Sequence, residues 1–135
     1  MNEITVQATI ENVPVVTAFL DEHLEAHDCS MKAQMQIDVA VDEIFSNIVF
    51  YAYHPEVGEA TVGIEFDDSV PAAILTFSDS GVAYNPLEKD DPDTTLSAED
   101  RQIGGLGIFI VKKTMDKVEY RREDGKNILT VVKNI

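Results

Sequence analysis

Three short patterns in this chain bring together residue types that can do chemistry. In VDEIFSNIVFYAY (41–53), Glu43 and Asn47 fall four residues apart on a predicted helix, about 40° from one another around its axis. A carboxylate there can take a proton, and a carboxamide oxygen can ligate a hard cation such as Mg²⁺. Ordinary rim residues of an amphipathic helix show the same spacing, so the pair alone decides nothing. In LTFSDSGVAYNP (75–86), an apolar strand runs into Asp79, and Gly81 follows after one residue. A carboxylate at a strand end, beside a residue without a side chain, can accept a hydrogen bond from a flat ligand. Any Asp-x-Gly turn reads alike. In DRQIGGLGIFIVKKTMDKVEY (100–120), Gly104, Gly105 and Gly107 lead into an apolar-periodic segment. Backbone N–H groups can approach an anion closely there, and the helix that follows points its positive end the same way. No GK[ST] follows, as a Walker loop requires, and no βαβ unit surrounds it, as a dinucleotide fingerprint requires.

Other reactive residues carry less. His23 and His27 are spaced i, i+4 on a predicted helix, a metal-binding spacing, but no third ligand is suggested and surface histidines are the simpler reading. His54 precedes Pro55 at a helix end, where a cap or surface role is the default. Cys29 is the single cysteine; it rules out an internal disulfide and fits a reducing, cytoplasmic setting. With no basic neighbour to activate it, it reads as a buried or idle thiol.

The elements that must position these groups follow from periodicity. EITVQATI (3–10) alternates and is β-branched, which predicts a strand. Pro14 opens a helix to about His27, with Val15, Phe19, Leu20 and Leu24 on its apolar side. A second helix runs from Ser30 or Met31 to Tyr53 along the stripe Ile37, Val41, Ile44, Ile48 and Ala52. Strands at 59–68 and 72–80 are joined by a turn at Ser69–Pro71. Residues 86–103 hold six carboxylates and two prolines with little apolar content, the composition of a mobile loop. A third helix spans about 105–115, and a hairpin closes the chain: KVEYRRE, turn DGK, NILTVVKN. Strands that follow one another directly pair antiparallel. The expected fold is α+β, a two-layer sandwich with three helices stacked on one face of a mixed, largely antiparallel sheet.

Length and charge narrow the classes of function. At 135 residues one domain, 1–135, is expected, large enough for a core without staples. No apolar run approaches the roughly 20 residues of a membrane span, and MNEITVQATIENV has no basic segment before an apolar one, so it does not read as a signal peptide. The formal net charge of −15 argues against direct nucleic-acid binding and against anionic membrane surfaces. It favours partners with basic patches, or serves solubility alone.

Taken in order, Glu-x₃-Asn on a helix, Asp-x-Gly after a strand, an acidic loop and Gly-Gly-x-Gly opening a helix resemble the Bergerat ATP-binding fold of the GHKL superfamily. The resemblance covers nearly the whole chain from about residue 30. The closing stretch GGLGIFIVKKTMDKVEYRREDGKNILTVVK is similar to the stand-alone bacterial anti-sigma-factor serine kinases of the RsbW/SpoIIAB kind. It implies ATP and Mg²⁺ as cofactors, Glu43 as general base and Asn47 as Mg²⁺ ligand. Asp79 would accept the adenine amino group, Gly81 would make room for the base, and Gly104, Gly105, Leu106 and Gly107 would form the phosphate-binding turn. Residues 86–103 match the ATP lid, with Arg101 a candidate for the γ-phosphate. The anion at the glycine-rich turn is then a triphosphate, held by positioning rather than by a basic patch.

The chain departs from the family pattern at three places. Phe50 and Tyr51 stand where a basic residue or His often follows the Asn. The last strand lacks the common Gly-Thr start, leaving Asn127 or Thr130 as substitutes in the adenine site. Arg101 and Lys89 are the only cations of the lid. The resemblance implies a serine/threonine kinase that phosphorylates a STAS-type anti-sigma antagonist and sequesters a sigma factor, as a homodimer. The competing reading is a nucleotide-sensing module that sequesters its partner without phosphorylating it.

Overall fold

The alternating stretches form five strands: β1 (Asn2–Gln7), β2 (Glu59–Asp67), β3 (Ala72–Asp79), β4 (Lys117–Glu123) and β5 (Lys126–Asn134). The helical stretches form α1 (Val13–Ala26), α2 (Met31–Asn47) and α3 (Gly105–Thr114). The computed structural model describes residues 1–53, 56–88 and 105–135. Most of the expected ATP lid, with Lys89 and Arg101, lies outside the described residues, as do Gly104 and His54.

One sheet has the order β1-β2-β3-β5-β4, and every pairing in it is antiparallel. The expectation of a mixed sheet is corrected by one insertion. β3 and β4 run in the same direction, but β5 lies between them and removes the parallel contact. The β4–β5 hairpin turns at Asp124 and Gly125, both with positive φ (52° and 78°), as a two-residue turn matched to strand twist requires.

Pairing register sorts the two faces. Ala73, Leu75, Phe77 and Asp79 of β3 share a face with Ala60, Val62 and Ile64 of β2 and with Asn127, Leu129 and Val131 of β5. This face meets the buried stripes of α1 (Val16, Leu20, Leu24) and α2 (Ile37, Val41, Ile44, Phe45) in a single core. Each such aliphatic side chain contributes roughly 1.5–3 kcal/mol by leaving water. The other face carries threonines: Thr5 and Thr61 bond Oγ1 to Oγ1 at 2.8 Å, and Thr76 stands opposite Thr130.

Local signals explain most boundaries. Ser30 caps α2, its hydroxyl accepting from Ala33 N–H at 3.2 Å. β1 ends early because Asn12 Nδ2 donates to Gln7 O at 2.8 Å and folds the chain into a 3₁₀ turn at Ile10–Asn12. The long second helix differs from expectation at its end. It is α-helical to Asn47 and continues as a π-helical turn over Ile48–Ala52. Among the described residues no helix is long and apolar enough to cross a membrane.

Between α1 and α2, Asp21 and Asp38 lie side by side. Oδ1 of each is buried with no donor from another described residue. Burial first, then the Asp21 hydrogen bond and the charges of Asp21 and Glu25, raise Asp38 to about 7. The nearby Cys29 thiol is raised by burial and by both aspartates, which suits an unreactive cysteine. The histidine pair holds no metal geometry among the described residues: His27 stacks on Phe66 at 3.5 Å and His23 meets Phe19 edge-on at 4.9 Å.

Candidate functional site

α2 and α3 pack against each other, and their contact sets Glu43 beside the start of α3. Gly107 is bare for this reason: a Cβ there would run into Glu43 Oε2. The carboxylate therefore sits at the first turn of α3, where the helix presents its positive end. Even so, burial first and then the charge of Asp42 raise its proton affinity above that of an ordinary glutamate. A carboxylate with raised proton affinity is suited to general-base work.

One turn on, Asn47 is buried at 8 % exposure. Its Nδ2 donates to Glu43 O at 2.9 Å, which fixes the amide so that the oxygen faces away from that bond. Oδ1 is buried and has no partner among the described residues. A buried carboxamide oxygen without a donor carries a desolvation cost of about 1–3 kcal/mol, and a hard cation would remove it. The residue present thus fits a Mg²⁺ ligand.

Asn47 also lines a cavity whose far wall holds Asp79 on β3 and Asn127 on β5. Ile44, Ile48, Phe77, Ile108 and Leu129 make most of the rest apolar, and Tyr84, Pro86 and Tyr120 complete the described lining. Its volume is about 30 Å³, and among the described residues it is partly open to solvent.

The Asp79 wall is densely bonded. Asp79 Oδ1 accepts from Gly81 N–H at 2.9 Å and from Asn127 Nδ2 at 3.0 Å. The π-helical turn aims the Ala52 carbonyl at Val82 N–H, 3.0 Å away, and a Cβ on Gly81 would run into that same carbonyl oxygen. Gly81 is therefore bare so that the loop can reach the helix end. Tyr53 clips the strands from behind, accepting from Ser80 N–H at 2.7 Å and donating to Glu59 O at 2.7 Å. Arg122 Nη1 donates to Gly81 O at 2.9 Å.

The structure thus brings Glu43, Asn47, Asp79 and Gly107 to one side of the molecule, with Gly81 behind Asp79. Gly105 begins α3, and Leu106 lies within its first turn. Of the two residues weighed on the last strand, Asn127 lies on the helix-covered face and lines the cavity, whereas Thr130 lies on the opposite face of the sheet. Phe50 is 54 % exposed, and Tyr51 stacks on Tyr84 with centroids 5.1 Å apart. Sequence reasoning missed Tyr53, Tyr84, Tyr120 and Arg122; an aromatic just before the HPEVG break and alternation along KVEYRRE were the only available hints.

Comparison with known proteins bears on the family of the chain. A family model described as the histidine kinase-like ATPase domain matches residues 6–133. The serine/threonine-protein kinase BtrW of Bordetella bronchiseptica is 30 % identical over 111 residues, covering 82 % of this chain and 78 % of that protein. The serine-protein kinase RsbW of Listeria monocytogenes is 29 % identical over 106 residues, 74 % of this chain and 66 % of that one. The RsbW of Bacillus mycoides is 29 % identical over 97 residues, and the match spans 58 % of its length.

Proposed function

Because the chain belongs to the histidine kinase-like ATPase domain family, we propose that it is an ATP-dependent serine/threonine protein kinase, and that it regulates a sigma factor by partner switching. The single observation that supports this most is the unpartnered, buried Oδ1 of Asn47, one helical turn from a glutamate of raised proton affinity. That oxygen would hold Mg²⁺, which when bound would gather and neutralise triphosphate charge. Glu43 takes the proton from the acceptor serine. Asp79 accepts the adenine amino group, and the turn of Gly104, Gly105, Leu106 and Gly107 holds phosphate at the start of α3. Arg101, outside the described residues, is the candidate for the γ-phosphate.

The acceptor is a STAS-type anti-sigma antagonist, and in its absence the chain sequesters a sigma factor, as a cytoplasmic homodimer. The names of the BtrW and RsbW relatives support the kinase reading. The formal charge of −15 suits a sigma factor with a basic surface. The test is transfer of label from ATP to a serine of a STAS domain, with and without Mg²⁺. Mg²⁺-dependent labelling that Asn47→Ala abolishes is expected. Nucleotide binding without any transfer would leave a nucleotide-sensing binding module.

A further inference from the structure

We propose that Asn127 is a positioning residue for Asp79: its amide holds one carboxylate oxygen, fixes the orientation of the carboxylate and leaves the other oxygen free to accept from the ligand. The inference rests on the nucleotide reading above. Asn127 is 6 % exposed and stands directly opposite Asp79 across the β3–β5 pairing. Its Oδ1 accepts from Tyr120 Oη at 2.6 Å, Arg122 Nη1 at 3.1 Å and Tyr84 N–H at 3.2 Å. Its Nδ2 donates to Val82 O at 2.7 Å and to Asp79 Oδ1 at 3.0 Å.

Every partner of the oxygen is a donor and both partners of the nitrogen are acceptors. The amide therefore has one orientation. A carboxamide offers two N–H groups and an oxygen with two lone pairs, and all of them are engaged. Asn127 has nothing left for a ligand. It acts through Asp79, whose Oδ1 already carries two donors while Oδ2 carries none among the described residues. A base whose edge offered an acceptor at that place would meet an oxygen with no proton to give.

The decisive variant is Asn127→Asp, which keeps the size and the acceptor oxygen but sets a second carboxyl against Asp79 Oδ1 and Val82 O. Arg122 and Tyr120 face one oxygen of the new carboxyl, but the other meets Asp79 Oδ1, and two carboxyls so close favour sharing a proton. ADP affinity is measured by calorimetry from pH 5.5 to 8.5 for wild type, N127D, N127A and N127T, and read as the ratio to wild type so that titration of ADP itself cancels. N127D is expected to lose about tenfold or more at pH 8.5 and to recover to within about threefold at pH 5.5. N127A loses affinity evenly at all pH, and N127T, which keeps one donor, gives a flat profile with a smaller loss. An N127D profile equal to wild type, or a loss independent of pH, overturns the proposal and leaves Asn127 as strand glue. If wild type takes up no adenine nucleotide, the function reading fails, and carboxyl ¹³C titration of ligand-free protein still decides this one. The Asp79 resonance must titrate at higher pH in N127D than in wild type; coincident curves overturn the positioning role.

Discussion

The two ends of the site are built on opposite terms. At the Asp79 end, Asp79 Oδ1, Asn127, Arg122 and Tyr120 are hydrogen-bonded to one another or to neighbouring backbone, and Asp79 Oδ2 alone is left to accept among them. At the Glu43 end, a glutamate is pushed up by burial and an asparagine oxygen is buried without a donor. Satisfied groups fix a shape; groups with unmet demand wait for a partner. On the reading proposed above, the first end recognises a form and the second receives charge.

Substitutions can break or sharpen this contrast. Glu43→Gln removes the unmet proton demand without changing size, and label transfer to a serine acceptor should fall about 10²–10⁴-fold, with nucleotide affinity within about threefold. Undiminished transfer would remove Glu43 as the base. The two glycines make the sharpest pair. Gly107→Ala puts its Cβ against the flexible end of Glu43, so the carboxylate must swing aside. Transfer should drop roughly tenfold or more, while the helix gains up to about 1 kcal/mol in propensity. Gly81→Ala meets backbone instead, the carbonyl of Ala52, and denaturant unfolding should show a loss of roughly 1–3 kcal/mol. Equal stability effects from the two alanines would dissolve the contrast.

The smallest effect lies away from both ends. Folded Asp38 holds its proton to about pH 7, against an ordinary value of 3.8. The folded chain thus binds more protons than the unfolded one between those limits. Stability contributed by this pair falls as pH rises from about 4 to about 7 and is level beyond. Asp38→Asn should flatten that slope in thermal melts, and an unchanged slope would assign it elsewhere.

What could be read from the sequence divides along the same line. Local patterns placed the elements well: alternation found the strands, and the Ser30 cap marked the start of α2. The groups with unmet demand were legible because their chemistry lies within one helix, Glu43 and Asn47 a turn apart. The satisfied network was not, because Asp79 and Asn127 are 48 residues apart and meet only through the β3–β5 pairing. The choice between Asn127 and Thr130 depended on that register, which decides the face of every strand residue. Gly81 shows the remaining limit. A glycine beside an aspartate suggests room for a ligand, yet the π-helical turn that uses the space has no sequence mark.

The network has an optical side. The chain has four tyrosines and no tryptophan, and each tyrosine touches this region: Tyr51 on Tyr84, Tyr53 on Ser80 and Tyr120 on Asn127. Tyrosine emission of the native molecule therefore comes wholly from around the pocket, and a base that arrived there would be followed by the quenching it causes, with no dye or label attached.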